Sequence, residues 1–283
     1  MKIMIIGADG QLGCDLCKVI PKEDQIPLTI KEIDITDPQM TTAVLKQHSP
    51  EVVINTAAYH RVDDCEDNIL LALKVNAYGV RNLALAAKEV GAALVSISTD
   101  YVFSGDRKKP YSEKDVPEPK SAYGISKLAG EFFARYILQK YFIVRTCGLY
   151  GVAGCMGKGG TNFVEGMIKK AKQGGVIRVV DDEFVSPTYT YDLAQALYKL
   201  IQTNRYGIHH IANSGSCSWY QFAAKIFELT GIKADLQKAT GADYPTKAYR
   251  PKYSVLASRF GLRIWKDALK AYIDEKKYIS KLI

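Results

Sequence analysis

The chain has 283 residues, of which 47% are hydrophobic and 24% charged, so it can bury a large core and is not a disordered chain. The formal net charge is +8, but the basic residues are scattered and the densest cluster, at residues 107–109, is short, which argues against a nucleic-acid partner. A mild basic excess suits an anionic small-molecule substrate or cofactor instead.

The cysteines indicate a reducing compartment. We find neither a secretory signal nor an apolar run of transmembrane length, so the sequence predicts free thiols, a cytoplasmic location and no membrane partner. Cys14-x-x-Cys17 lacks the second pair that would complete a zinc site, so no metal site is predicted. The six cysteines are Cys14, Cys17, Cys65, Cys147, Cys155 and Cys217.

A glycine turn follows the first apolar run. Residues 2–6 predict a strand, and a helical stretch continues to residue 20. Gly7 allows a tight turn, Gly10 lets backbone N–H groups approach a pyrophosphate, and Gly13 lets the helix pack close to the strand. In this strand–turn–helix context the glycines predict a dinucleotide bound at the helix N-terminus.

The choice of dinucleotide depends on the end of the second strand, which is expected at residues 28–30. In NAD-binding proteins an acidic residue there binds the ribose 2′-hydroxyl group. Thr29 and Lys31 stand here instead, so a 2′-phosphate meets no carboxylate and Lys31 can pair with it. The sequence therefore favours NADPH and leaves NADH as the alternative.

Helices and buried strands then alternate. This order predicts an α/β fold, a Rossmann-type doubly wound parallel sheet over residues 1–148. Six glycines within residues 148–160 predict a mobile loop beside a site. The expected elements are a helix starting at Pro38 with Thr36 or Asp37 as its cap, a strand at 51–55, a helix at 66–90, a strand at 92–98, a helix at 122–139 and a strand at 141–145.

Strands are sparser in the second half. Residues 149–283 are therefore expected to form mainly a smaller substrate-binding region, with a segment at about 176–213 returning to the Rossmann domain. The expected elements are a helix at 162–173, a strand at 176–180, a helix at 191–203, a strand at 207–212 and a helix opened by a capping box at Ser218.

Tyr123 and Lys127 lie four residues apart where a helix begins, so their side chains face the same way. A neighbouring lysine lowers a tyrosine pKa and makes the phenol a usable proton donor. Thr99 and Asp100 follow a strand at its carboxyl end, where parallel sheets hold ligands. Together they predict a carbonyl site: Tyr123 donates a proton, Thr99 hydrogen-bonds the oxygen, and Lys127 binds the nicotinamide ribose.

The motifs resemble those of extended short-chain dehydrogenases/reductases, and specifically of the dTDP-4-dehydrorhamnose reductase family, along nearly the whole chain. Its most specific segments are Ser-Thr-Asp-Tyr-Val-Phe at 98–103 and Ser-Pro-Thr at 186–188. The resemblance implies reduction of the 4-keto group of dTDP-4-dehydro-6-deoxy-L-mannose to dTDP-L-rhamnose, for surface polysaccharide synthesis. Some members form homodimers with Mg²⁺, whose ligands we cannot place in this sequence, so both properties stay open.

Motifs and resemblance together give three sets of expected site residues. Catalysis is assigned to Thr99, Tyr123 and Lys127. Substrate binding is assigned to Thr99, Asp100, Tyr123, Gly148 and Arg250, whose guanidinium fork suits a diphosphate. The cofactor is expected to contact Gly7, Gly10, Gln11, Leu12, Gly13, Thr29, Lys31, Asp34, Ile35, Ala57, Ala58, Tyr59, His60, Tyr123 and Lys127.

The departures from the family pattern lie around the sugar. Gly148 stands where the family usually has a tryptophan, His60-Arg61 replaces smaller residues, and Glu183 replaces an amide. His60 is either a ligand contact or a plain loop residue. Two alternatives stay open: a reductase or epimerase of a different nucleotide sugar, and a non-catalytic NADP-binding regulatory subunit, against which the intact catalytic set argues.

Overall fold

The computed structural model describes residues 1–155 and 159–280. Its strands are β1 Ile3–Ile6, β2 Gln25–Leu28, β3 Val52–Asn55, β4 Ala93–Thr99, β5 Tyr141–Thr146, β6 Leu149–Tyr150, β7 Val176–Val180, β8 Phe184–Val185, β9 Thr188–Tyr189, β10 Gly207–His210, β11 Cys217–Ser218 and β12 Asp235–Ala239. Its α-helices are α1 Gln11–Val19, α2 Pro38–His48, α3 Val62–Asp67, α4 Ile69–Leu73, α5 Gly79–Val90, α6 Ala122–Ile137, α7 Phe163–Gln173, α8 Thr190–Ile201, α9 Trp219–Thr230 and α10 Trp265–Ser280.

A parallel six-stranded sheet, in the order β10-β5-β4-β3-β1-β2, forms the centre of the fold. The sequence runs of β1 and β3 are wholly apolar up to Asn55 because helices cover both faces. Leu16 of α1 and Leu197 of α8 pack on one face. Leu45 of α2 and Leu83 of α5 pack on the other. The predicted doubly wound α/β fold is confirmed.

The second half adds a separate apolar cluster beneath α7, α9 and α10, which includes Val164, Phe222 and Leu269. Within the segment expected to return to the Rossmann domain, β10 joins the central sheet and α8 packs against α1. Strand β7 does not return, since it pairs in parallel with β12 in a two-stranded sheet. Alternate β7 residues are exposed, whereas a central parallel strand is buried on both faces.

The helix expected at 66–90 is divided. Its first part, α3, begins earlier, at Val62, and Asn68 separates it from α4. A π-helical turn, Lys74–Tyr78, then links α4 to α5. By length and hydropathy the stretch Ile69–Val90 could cross a membrane, although no such run was expected. Half of its most apolar window is buried inside the protein, as in the core helix of an α/β fold.

The predicted helix starts agree with the observed caps. The Asp37 carboxylate accepts hydrogen bonds from the N–H groups of Gln39 and Met40, with Pro38 in the first turn. Ser218 and Gln221 form the expected capping box of α9. Both caps satisfy N–H groups that a helix leaves unpaired at its start.

Candidate active site

A cleft of about 1020 Å³ lies along the carboxyl edge of β1, β3, β4 and β5. Its far wall comes from the second half of the chain, through Asn162, Phe163, Met167, Glu183, Trp219 and Arg250. The predicted site residues that line it are Gly7, Gly10, Gln11, Leu12, Ile35, Ala57, Ala58, His60, Thr99, Asp100, Tyr123, Lys127, Gly148 and Arg250. The lining does not include Gly13, Thr29, Lys31, Asp34 or Tyr59.

The glycine turn has the geometry of an anion cradle. Gly7 has a φ of +79°, which a residue with a side chain rarely adopts. A Cβ on Gly13 would lie 2.1 Å from the Gly7 carbonyl oxygen, so Gly13 serves close packing of α1 on β1. Gly10 is the N-cap of α1, and as a glycine it has no side chain with which to bond the first N–H groups of the helix. Backbone N–H groups at the positive helix end therefore face the cleft.

Asn76 holds the loop that follows β3. Its amide donates to the Tyr59 carbonyl at 2.9 Å and accepts from the Tyr59 N–H at 2.9 Å. The same Nδ2 donates to Ser126 Oγ on α6 at 3.0 Å. This residue ties the loop after β3 to α6, the helix that carries Tyr123 and Lys127. Sequence reasoning assigned it no role, although a buried asparagine in an apolar helix is a usable signal.

Tyr123 lies beside Thr99 because α6 approaches the end of β4 closely. A Cβ on Gly124 would lie 2.3 Å from the Tyr101 carbonyl oxygen, so only glycine permits this contact. The Thr99 hydroxyl lowers the pKa of the Tyr123 phenol, against the larger effect of burial, as a neighbouring hydrogen-bonding group does. The Tyr101 ring packs edge-on against that of Tyr123, with centroids 5.8 Å apart. The predicted proton donor and its hydrogen-bonding neighbour are thus adjacent.

Burial determines how the two ionisable catalytic groups titrate. It raises the pKa of Tyr123, and the Asp100 carboxylate raises that pKa further. This direction is opposite to the one predicted from the Tyr–Lys spacing. Burial also lowers the pKa of Lys127 to about 8, while the Glu131 carboxylate raises it. Both changes follow from moving a charge into a low-dielectric site, which disfavours each charged form.

A buried ion pair lies one turn beyond Lys127. Arg145 Nε donates to Glu131 Oε1 at 2.9 Å, and Nη2 donates to Oε2 at 2.6 Å. Ser98 also donates to Glu131 Oε1. Only 1–2% of either charged side chain is exposed. Sequence reasoning gave Arg145 no role, although a charge inside an apolar strand is the signal for such a partner.

Asp100 is buried next to the phenol. Burial raises its carboxyl pKa to about 6, whereas hydrogen bonds from Ser254 and Thr99 lower it. Thr99 Oγ1 donates to Asp100 Oδ1 at 3.0 Å. Within the described residues we find no group of three or more His, Cys, Asp or Glu side chains arranged to hold a metal ion.

The adenosine end of the cleft differs from the prediction. Strand β2 ends at Leu28 because the N–H groups of Gly7 and Ala8 both donate to the Leu28 carbonyl. Ile30, not Thr29 or Lys31, lines the cleft. Thr29 donates from its backbone and its hydroxyl to the Glu32 carboxylate, at 2.7 and 2.6 Å. A carboxylate therefore does stand near the end of β2. It belongs to Glu32, three residues after Thr29 and directly after Lys31.

The far end of the cleft carries aromatic side chains but none at position 148. Gly148 has a φ of +55°, and a Cβ there would lie 3.1 Å from Pro187 Cα. Phe163 and Trp219 line this end, with ring centroids 4.7 Å apart. Sequence reasoning missed Trp219, whose position in a capping-box helix gave no functional signal.

His60 lies in the wall of the cleft rather than on an open loop. Its Nε2 lies 3.0 Å from Cys155 Sγ, and its Nδ1 lies 3.2 Å from the Ala58 carbonyl oxygen. Cys155, like the other five cysteines, forms no disulfide. The contact joins the loop after β3 to the glycine-rich segment after β6.

Comparisons with known proteins agree with this geometry. A family model described as the RmlD substrate binding domain matches residues 1–278. The spore coat polysaccharide biosynthesis protein SpsK of Bacillus subtilis is 40% identical, over 97% of this chain and 98% of its own length.

Two solved structures are also similar. A dTDP-4-dehydrorhamnose reductase from Clostridium acetobutylicum is 44% identical with a TM-score of 0.93, over 98% of this chain and 100% of that one. The Bacillus anthracis dTDP-4-dehydrorhamnose reductase, solved in complex with NADP, is 41% identical with a TM-score of 0.92, over 97% and 100%. With the cleft and its Thr99, Tyr123 and Lys127 at the sheet edge, these matches show that the chain belongs to the dTDP-4-dehydrorhamnose reductase family of oxidoreductases.

Proposed function

We propose that the protein reduces the 4-keto group of dTDP-4-dehydro-6-deoxy-L-mannose with NADPH and so makes dTDP-L-rhamnose. One observation carries the reaction type. The buried Thr99 and Lys127 and the partly buried Tyr123 lie at the sheet edge, in the same cleft as the glycine turn. The names of the two solved reductases support the substrate. Spore coat polysaccharide synthesis, the role named for SpsK, supports a product used for a surface polysaccharide.

The residues of the cleft fit a dinucleotide. The glycine cradle and the open N-terminus of α1 would hold the pyrophosphate, and Lys127 would hold the nicotinamide ribose. Gln11 Oε1 and Thr146 Oγ1 are buried in the wall without a hydrogen-bond partner in the described protein, which suits groups that await a ligand. When bound, NADPH supplies the hydride. The NADP complex of the Bacillus anthracis relative supports this coenzyme.

Tyr123 then acts as the proton donor. Its raised pKa keeps the phenol protonated until charge develops on the carbonyl oxygen. The Lys127 ammonium, still mostly protonated at neutral pH, stabilises the phenolate that proton transfer leaves behind. Thr99 hydrogen-bonds the same oxygen, and burial excludes the water that would screen these interactions.

Replacing Tyr123 with phenylalanine tests the proposal. We expect Tyr123→Phe to lower kcat by about 10²- to 10⁴-fold, the usual contribution of a positioned general acid. NADPH binding, measured by fluorescence titration, should stay within about twofold of wild type, since the ring and its edge contact with Tyr101 are kept. Turnover is followed by loss of NADPH absorbance, with the sugar product identified. Undiminished reduction by the variant would refute the assigned donor.

A second candidate is reduction of a different nucleotide-linked keto sugar. Gly148 favours it, because the aromatic surface at this end comes from Phe163 and Trp219 and not from position 148. Product identification separates the two candidates. Rapid NADPH oxidation that yields dTDP-L-rhamnose supports the first, whereas tight NADPH binding without oxidation of this ketosugar supports the second.

A further inference from the structure

The segment of residues 247–250 is attached to α3, and its last residue, Arg250, lines the cleft. Arg250 Nη2 donates to Asp63 Oδ2 at 2.7 Å. The Ala248 N–H donates to the other oxygen, Asp63 Oδ1, at 3.0 Å. Lys247 forms an ion pair with Asp67, one turn later on the same helix. Asp63 therefore binds the backbone of this segment at Ala248 and its side chain at Arg250.

The ion pair of Asp63 and Arg250 lies in the wall of the cleft. Asp63 and Arg250 both line the cleft, with 40% and 22% of their side chains exposed. The Arg250 guanidinium lies 5.9 Å from the centroid of the Tyr101 ring and lowers the pKa of Tyr101, against the larger effect of burial. It also lowers the pKa of Glu183, again against burial. Arg250 is thus the cation among these groups, held in one orientation by Asp63.

The position of Asp63 depends on the cofactor side of the cleft. It lies in the first turn of α3, directly after the loop of residues 57–61. Three residues of that loop, Ala57, Ala58 and His60, line the cleft. Asn76 fixes the loop through both backbone polar groups of Tyr59. Asp63 therefore joins a loop on the cofactor side to a segment on the substrate side.

We propose that Asp63 is a positioning residue for the nucleotide-sugar diphosphate, acting through Arg250. The inference rests on the proposed function and names the interaction that holds its substrate. A bidentate fork binds phosphate well only when it is oriented beforehand, because immobilising a long arginine side chain costs conformational entropy. Asp63 removes part of that cost by holding Arg250 and the adjoining backbone before the substrate arrives.

Charge alone predicts the reverse effect. A carboxylate beside a diphosphate repels it and competes with it for the arginine, so removal of Asp63 would tighten binding if repulsion dominated. Orientation and repulsion thus act on affinity with opposite signs. Measuring the sign for the Asp63 variants decides between them.

The experiment measures dTDP binding by calorimetry on the full-length enzyme with NADP⁺ bound, together with kcat and KM for the ketosugar. We expect Asp63→Ala to weaken dTDP binding and raise KM about tenfold, within the range of measured site couplings. Both kcat and NADPH affinity should change by less than about twofold, because the lost interaction stabilises the bound substrate and the transition state equally. Asp63→Asn keeps an acceptor for the Ala248 N–H and should lie between wild type and Asp63→Ala.

Asp67→Ala is the matched control, because it removes an exposed ion pair from the same helix and lies outside the cleft lining. It should leave dTDP affinity unchanged. Arg250→Ala and the Asp63→Ala/Arg250→Ala double variant should bind dTDP equally weakly if Asp63 acts through Arg250. Tighter dTDP binding by either Asp63 variant, or additive losses in the double variant, would overturn the proposal. Because dTDP binding needs no turnover, this result is independent of the ketosugar that the enzyme reduces.

Discussion

The buried Glu131–Arg145 pair makes a prediction that joins stability to catalysis. Glu131→Ala leaves the Arg145 guanidinium in the core with 1% of its side chain exposed. Breaking a buried ion pair by removing one partner costs about 3–5 kcal/mol of unfolding free energy. Arg145 Nη1 already has no hydrogen-bond partner in the described part of the protein, so loss of Glu131 adds to a polar group that is not fully satisfied.

The assay is urea or thermal unfolding of the cofactor-free protein. At about 2–4 °C per kcal/mol, the expected fall in Tm is roughly 6–20 °C. The control is a double variant, Glu131→Met with Arg145→Met, which replaces both charges with apolar groups of similar length. It should unfold within about 1 kcal/mol of wild type, because an apolar pair avoids the desolvation penalty. A loss below about 1 kcal/mol for Glu131→Ala would refute the assignment of an uncompensated charge.

The same carboxylate affects Lys127. Its negative charge raises the Lys127 pKa, which burial brings down to about 8. Activity that needs protonated Lys127 is complete below this pKa and is lost as pH rises through it. Glu131→Gln removes the charge and should therefore move the alkaline limb of kcat/KM to lower pH. An alkaline limb that stays in place would contradict the coupling between these two residues.

Three further predictions concern the cofactor side. Gly13→Ala places a Cβ 2.1 Å from the Gly7 carbonyl oxygen and should lower unfolding free energy by about 1–3 kcal/mol, measured in urea, and weaken NADPH binding. Glu32→Ala removes a carboxylate from the end of β2 and should raise the NADPH-over-NADH affinity ratio about fivefold at low salt, with the gain disappearing at high salt. Asn76→Ala leaves the Tyr59 backbone groups unpaired and should cost about 1–3 kcal/mol while weakening NADPH binding more than it lowers kcat.

Most of the central sheet could be predicted from the sequence because its signals are local. Buried parallel strands are short apolar runs, and their helices begin at recognisable caps such as Asp37 and Ser218. The second strand was expected at residues 28–30 but ends two residues earlier, at Leu28, whose carbonyl accepts two N–H groups from the glycine turn. The stretch 66–90 was expected as one helix because its apolar pattern does not reveal the interruption at Asn68 or the π turn around Asn76.

The placement of Tyr123 and Lys127 on one helix face could be predicted for the same reason, whereas the direction of the Tyr123 pKa shift could not. Tyr123 and Lys127 share one helical turn, so their spacing is visible in the sequence. How deeply they are buried, and that Asp100 and Glu131 face them, depends on how α6 packs against the end of β4. Burial raises the pKa of the phenol, which is the reverse of the direction predicted from the neighbouring lysine.

The wall of the cleft opposite the sheet edge was the hardest part to predict, because it is formed by contacts between distant segments. Arg250 and Asp63 are 187 residues apart, and Phe163 meets Trp219 across 56 residues. No local periodicity encodes such pairs, since each depends on how the second half of the chain folds over the sheet edge. Under the proposed function, the motifs of the Rossmann half would carry out the reduction and the opposite wall would contact the sugar. Replacing Gly148 with an aromatic residue would be strained, because its φ of +55° and the nearby Pro187 disfavour any side chain at this position.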